Sequence, residues 1–255
     1  GEIIFNSGGT ESDNSILKCA VKDLGVKHII SSKIEHHAIT HTLDELKLQG
    51  VFVHYVKLTE NGNIDIDNLE YLLRLNDEPK LVTLMYINNE IGNILDVQSV
   101  SNLCQKYDSF FHTDAAQAVG KMKIDVNELN IDALSISGHK TYGPKGIGVL
   151  YVNTEARLQM TPLFDGGGQE KELRSGTLPT PLCVGLSEAL NLSLKEKDQT
   201  NDQIIELRLR MLEILSNSIN DLKVNGSNTS RIEGNLNIMI PGIDAEVLIN
   251  NMPEI

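Results

Sequence analysis

The chain has 255 residues, 40% of them hydrophobic, and a formal net charge of −13. It is long enough for one large α/β domain plus part of another, and too apolar to be disordered. The negative charge argues against nucleic-acid binding, which needs clustered Lys and Arg, and no apolar run approaches the length of a membrane span.

Strand and helix patterns alternate from the start. Ile3–Asn6 reads as a strand that runs into Gly8-Gly9-Thr10-Glu11-Ser12, and a helix follows to about Leu24. His28–Ser31 is a strand, His37–Leu48 a helix, Val51–Leu58 a strand, and Asp65–Leu75 a helix with an acidic start. Leu81–Tyr86 is a continuous apolar run of the doubly covered, parallel kind. Val97–Lys106 is a helix, and Phe110–Thr113 and Leu134–Ser137 are strands, the second able to form a hairpin with Gly148–Val152. This alternation predicts a mostly parallel sheet with helices on both faces, and ligands beyond the carboxyl ends of its strands.

From Pro181 to about Ile219 the pattern is long and helical, with a solvated polar run at Lys195–Gln199. Asn235–Ile240 then reads as a strand and Ala245–Ile249 as a helix. The expected division is a large domain over 1–185, a connecting helix over 186–220, and the start of a small C-terminal α+β domain over 221–255. Neither Gly1 nor Pro253-Glu254-Ile255 resembles a natural terminus, so the expectation is a piece of a longer protein, and a targeting peptide stays open. Cys19, Cys104 and Cys183 form no CxxC pair and read as reduced, buried thiols of an intracellular protein.

Chemistry concentrates at the predicted strand ends. Lys140 follows the apolar strand Ala133–Ile136, among small and hydroxyl residues and four glycines. A lysine at a buried strand end is costly unless paired or reactive, and such an amine can form a Schiff base with an aldehyde cofactor, pyridoxal phosphate (PLP). Gly8-Gly9-Thr10 opens a helix and suits a phosphate; taken alone, a capping box with Thr10 as cap and Asp13 reaching back is the better account. Asp114 could face a pyridine nitrogen, with Gln117 near the ring oxygen; taken alone, Asp114 reads slightly better as a helix cap. Glu35-His36-His37 follows another strand end, where an imidazole could stack on a ring or move protons. His37 and His41 are four apart, but no third ligand supports zinc, and an exposed helical face is expected. Asn88-Asn89 ends the most apolar strand, either as turn chemistry or as neutral ligands. Arg174–Pro179, after Gly166-Gly167-Gly168, reads alone as a flexible loop.

The joint order of these stretches is more specific than any one of them. Ser7–Asn14, Glu35-His36, Asn88–Gly92, Asp114–Gln117, Ser137–Lys140 and Arg174–Pro179 together resemble the PLP-dependent cysteine desulfurases of the NifS/IscS type, within the class V aminotransferases. The last stretch is similar to the IscS and mitochondrial branch. The resemblance implies PLP fold type I, and an enzyme that converts L-cysteine to L-alanine and passes the sulfur as a persulfide. By resemblance, Lys140 would hold PLP covalently, and His36 would stack on its ring and shuttle protons. Asp114 would pair with the pyridinium, and Gln117 would bind the ring hydroxyl with Asn89 beside it. Gly9, Thr10, Ser137 and His139 would hold the phosphate, and Thr177 would reach the phosphate of the neighbouring subunit of a homodimer. Gly9 stands where IscS-like members carry alanine, a change that backbone binding survives.

The family's persulfide cysteine lies on a mobile C-terminal loop that no cysteine here matches, so residues 1–255 alone are expected to be inactive. The resemblance further implies an iron–sulfur scaffold or tRNA-thiolation protein as sulfur acceptor, and a cytoplasmic or mitochondrial location. The rival readings are a selenocysteine lyase or small aminotransferase of the same fold, a non-catalytic partner-binding subunit and, more distantly, a NAD-binding domain. No GxGxxG supports the last of these.

Overall fold

The computed structural model describes residues 2–154 and 160–252. The expected terminal positions Gly1 and 253–255 lie outside the described residues. Seven strands form one sheet: β1 (Ile3–Asn6), β2 (His28–Ser31), β3 (Phe52–Tyr55), β4 (Lys80–Thr83), β5 (Phe110–Asp114), β6 (Ala133–Ser137) and β7 (Gly148–Val152). Their order is β1-β7-β6-β5-β4-β2-β3. Neighbours from β3 to β6 pair in parallel, and β7 is antiparallel to both β6 and β1. Six strands therefore point one way, and the expected hairpin of β6 with β7 is present.

Helices cover both faces because the strands are apolar on both sides. On one face, α1 (Gly9–Asp23) and α2 (His37–Leu48) bury Ile16, Leu17, Ile39 and Leu43 against Ile29, Leu81 and Leu150. On the other, α3 (Ile66–Leu73) and α4 (Val97–Lys106) bury Leu69, Leu73, Val97 and Val100 against Val82, Phe111 and Leu134. Each fully buried Leu or Ile contributes on the order of 1.5–3 kcal/mol. Asp65 and Asp96 cap α3 and α4 by accepting from Asn68 N and Ser99 N.

Several expected elements are shorter than the apolar runs that suggested them. The run Val51–Leu58 keeps only Phe52–Tyr55 as strand, because Val51 N turns back to Leu46 O. The run Leu81–Tyr86 leaves the ladder after Thr83, although Leu84 N and Tyr86 N still donate to His112 O and Asp114 O. Asn235–Ile240 keeps only β9 (Ile238–Met239), paired with β8 (Lys223–Val224), and just before it the side chains of Asn235 and Asn237 donate to Glu90 O.

The long helix α5 (Thr180–Ser218) runs unbroken for 39 residues and buries Leu186 against Ile147 and Val149. Much of its apolar surface, including Leu207, Leu209, Met211 and Ile214, is exposed. Lys195, Glu196, Asp198 and Gln199 face solvent as expected. A short helix, α6 (Ala245–Asn250), follows β9. Cys19 and Cys104 are buried, but Cys183 is only partly so, because it sits in the first turns of α5 at the surface.

Candidate active site

The carboxyl ends of β1, β2, β4, β5 and β6 meet at one edge of the sheet. A cleft of about 490 Å³ opens there, walled by Gly9, Thr10, Asp13, His36, Asn89, Asp114, Gln117, Ser137, His139 and Lys140. Nine of the ten residues singled out from sequence thus share one cavity. Thr177 does not: it is exposed on the loop before α5.

The β1–α1 turn is built by side chains of the same segment. Asn6 Oδ1 accepts from Gly8 N at 3.1 Å, and Asn6 Nδ2 donates to Ser12 Oγ at 2.6 Å. Ser12 Oγ in turn donates to Val149 O, which pins α1 to β7. The helix begins at Gly9 with Gly8 as its cap, and no side chain caps it. The expected capping box is therefore absent. Thr10 lies inside the first turn, and Asp13 is buried rather than reaching back. The turn's N–H groups are left facing the cleft beside Ser137, whose Oγ lies 3.1 Å from His139 Nδ1. Uncapped N–H groups at a helix start attract an anion.

Lys140 follows the buried strand as expected, but the lysine itself is exposed. β6 stops at Ser137, and a 3₁₀ turn over Gly138–Thr141 swings Lys140 into the open cleft. Gly138 N donates to Ile147 O, and a Cβ on Gly138 would come within 2.8 Å of Ile147 Cγ2, so the turn needs a glycine. Asp114 is buried at the end of β5 and accepts from Ala116 N at 2.9 Å. A turn follows it rather than the helix that a capping role required. Burial raises the Asp114 carboxyl, while the Ala116 N–H, His36 and Lys140 pull it back. Burial first, and Asp114 second, hold Asp13 well above the usual carboxylate range. Asp13 Oδ1 makes no hydrogen bond to a described residue and lies 3.7 Å from His112 Nε2.

His36 has two roles. Its Nδ1 accepts from Ala38 N at 3.1 Å, capping α2, and its ring walls the cleft. His37 and His41 are both exposed on α2, as expected, with their ring centroids 4.8 Å apart. The two asparagines divide their roles. Asn88 is buried turn chemistry, accepting from Glu90 N and Ile91 N and donating to Ile34 O. Asn89 is exposed in the cleft, with Nδ2 on Glu90 Oε1.

Three further residues near the cleft were given no role of their own by the sequence. Glu35 is buried behind His36, accepting from Ser32 Oγ at 2.6 Å and Met85 N at 2.8 Å. Burial pushes its carboxyl up to about 8. His112, two residues before Asp114 on β5, bridges Thr83 Oγ1 and Ser135 Oγ, and burial pushes it down to about 3. Arg174 is no free loop residue, since it pairs with Glu11 at the start of α1. Burial sets Glu35 and His112 apart, and long-range pairing sets Arg174 apart, both visible only in three dimensions.

The family model for class-V aminotransferases matches residues 1–252. The chain belongs to the class-V aminotransferase family. This class-V chain is 44% identical over 250 residues to the cysteine desulfurase IscS of Rickettsia bellii, covering 97% of the chain and 60% of that relative. It is 43% identical to the "Probable cysteine desulfurase, mitochondrial" of Dictyostelium discoideum, covering 97% of the chain and 55% of the relative. Its fold matches that of DndA from Streptomyces lividans with a TM-score of 0.87 and 35% identity, over 99% of this chain and 72% of that one. The class-V chain thus spans about three-fifths of the length of the curated relatives. The mostly parallel sheet and the family expected from sequence are both present.

Proposed function

We propose that the chain carries the cofactor site of a PLP-dependent cysteine desulfurase. The observation that carries this reading is the single cleft that gathers Lys140, Asp114, His36 and an uncapped helix start. These residues fit PLP: an open amine for its aldehyde, a buried acid for its ring nitrogen, and N–H donors for its phosphate. The names of the relatives supply the substrate, L-cysteine. When bound, PLP joins amines through its aldehyde and takes up the electron pair left at the substrate α-carbon.

The chain's own residues do the rest. The N–H groups of Gly9 and Thr10, with Ser137 Oγ and His139, would hold the phosphate. The Asp114 carboxylate would keep a proton on the ring nitrogen. Gln117 would hold the ring oxygen, with Asn89 beside it. His36 would lie against the ring, and the Lys140 amine would take the α-proton. The overall change turns cysteine and a protein thiol into alanine and a persulfide, with the C–S bond broken and an S–S bond formed.

Cys19, Cys104 and Cys183 do not wall the cleft, and burial pushes Cys19 up to about 12 and raises Cys104. The reading therefore assigns the persulfide to a different cysteine, and residues 1–255 alone to an inactive piece. It further takes an iron–sulfur scaffold or tRNA-thiolation protein as sulfur acceptor, and a homodimer in which the exposed Thr177 meets the partner's phosphate. The location would be cytoplasmic or mitochondrial, and among the described residues no helix is long and apolar enough to cross a membrane. The division into 1–185, 186–220 and 221–255 belongs to the same reading.

The test uses the full-length protein with added PLP, L-cysteine and a dithiol reductant that releases the persulfide sulfur as sulfide. A visible absorption band and equal yields of alanine and sulfide are expected, and Lys140→Ala removes both. An unchanged band in Lys140→Ala would refute the cofactor assignment. Release of alanine from selenocysteine but not from cysteine would replace the substrate.

A further inference from the structure

Gln117 is held by a residue that the cofactor reading does not use. Lys121 Nζ lies 2.8 Å from Gln117 Oε1. An ammonium only donates hydrogen bonds, so the amide atom facing it must be the oxygen. Gln117 walls the cleft that contains Lys140, and the amide end left for that cleft is Nε2, a donor.

The placement is fixed by the backbone after β5. Ala118 N donates to Ala115 O, and both Lys121 N and Met122 N donate to or point at Ala118 O, at 3.0 and 3.1 Å. Gly120 has φ +81°, and a Cβ there would press within 3.2 Å of Thr141 Cγ2 and 3.1 Å of Ser193 Cβ. The glycine thus lets this turn close onto the residue that follows Lys140. Lys121 is half-buried. Burial and the Lys140 charge hold its ammonium below the usual lysine value. The charged groups that line the same cavity are Lys140 on the 3₁₀ turn, Glu196 and Lys197 on α5, and Glu233 on the segment before β9.

Resting on the PLP reading, we infer that Lys121 is a positioning residue. It turns the Gln117 oxygen away from the cleft, so that Nε2–H donates to the ring oxygen of the cofactor, and its charge favours the ionised form of that oxygen. A glutamine without this lysine could present either end, and its oxygen would repel an ionised ring oxygen.

The test is a pH titration of the visible band of the PLP-loaded, full-length protein. Lys121→Met removes a positive charge and frees the amide. Both changes favour the protonated chromophore, so the midpoint is expected to rise by about one pH unit. Lys121→Arg, which still only donates, restores the wild-type midpoint. In a Gln117→Leu background, Lys121→Met adds less than half of that shift. If Lys121→Met does not fold, Lys121→Gln carries the same test, because it also removes the charge. A well-folded Lys121→Met whose midpoint stays within about 0.2 unit of wild type refutes the role of Lys121 and leaves the PLP reading intact. A wild-type protein that gains no band with PLP sinks both.

Discussion

Arg174 Nε donates to Glu11 Oε1 at 2.9 Å, tying the loop before α5 to the first turn of α1. Burial alone would raise the Glu11 carboxyl, but its bonds from Arg174 and Ser7 N outweigh that and hold it below its usual value. The pair thus places a neutralised carboxylate beside the N–H groups assigned to a phosphate. Arg174→Met strips that neutralisation and leaves an anion next to an anion site. The expected result is about tenfold weaker PLP binding, read by absorbance titration. Glu11→Gln in the same chain should recover most of the loss, and a double variant as weak as Arg174→Met alone would show that the charge of Glu11 is not the cause.

His36 joins a helix cap to a cofactor wall, and substitution can separate the two. Asparagine is a good cap, whereas alanine is not. His36→Ala should lose about 1 kcal/mol of stability, a drop of about 2–4 °C in Tm, together with turnover. His36→Asn should keep the Tm but lose at least about tenfold in kcat. Calorimetry and steady-state assays check the two halves, and full activity in His36→Asn would remove the imidazole from the mechanism.

Glu35 makes a pH-dependent contribution with a defined sign. Burial raises its folded pKa from 4.5 to about 8. Between those values the folded chain keeps a proton that the unfolded chain has released. The Glu35 contribution is therefore complete below its ordinary value and is lost as pH rises through about 8. Glu35→Gln should flatten this fall, narrowing the loss of stability between acidic and basic pH by a few kcal/mol at most, about the scale set by such a shift. Urea midpoints of both proteins across the window test this, and parallel curves would overturn it.

Gly148 is a steric requirement of the site. A Cβ there would lie 2.5 Å from Gly8 Cα and 2.6 Å from Ile136 O, both backbone atoms that cannot swing aside. Gly148→Ala should cost about 1–3 kcal/mol and also weaken PLP binding, since Gly8 caps the helix that faces the phosphate. Denaturation and cofactor titration measure the two effects. A destabilised variant with unchanged PLP affinity would uncouple β7 from the anion site.

Local pattern alone determined the alternation of strands and helices in this protein, because apolar spacing and capping residues such as Asp65 and Asp96 act over a single turn. It also determined which polar residues end strands, because a parallel sheet puts its strand ends on one edge, and the joint order of their motifs carried the family resemblance that implied the set from Gly9 to Lys140. Tertiary packing decided the rest. It swung Lys140 into the cleft, made Asn88 a turn residue and Asn89 a cleft residue, and moved Asp13 from a cap into the interior. It also joined Lys121 to Gln117 and Arg174 to Glu11, the latter across 163 positions of chain. Burial and long-range pairing depend on what the rest of the chain places nearby, and no local run of residues carries that information.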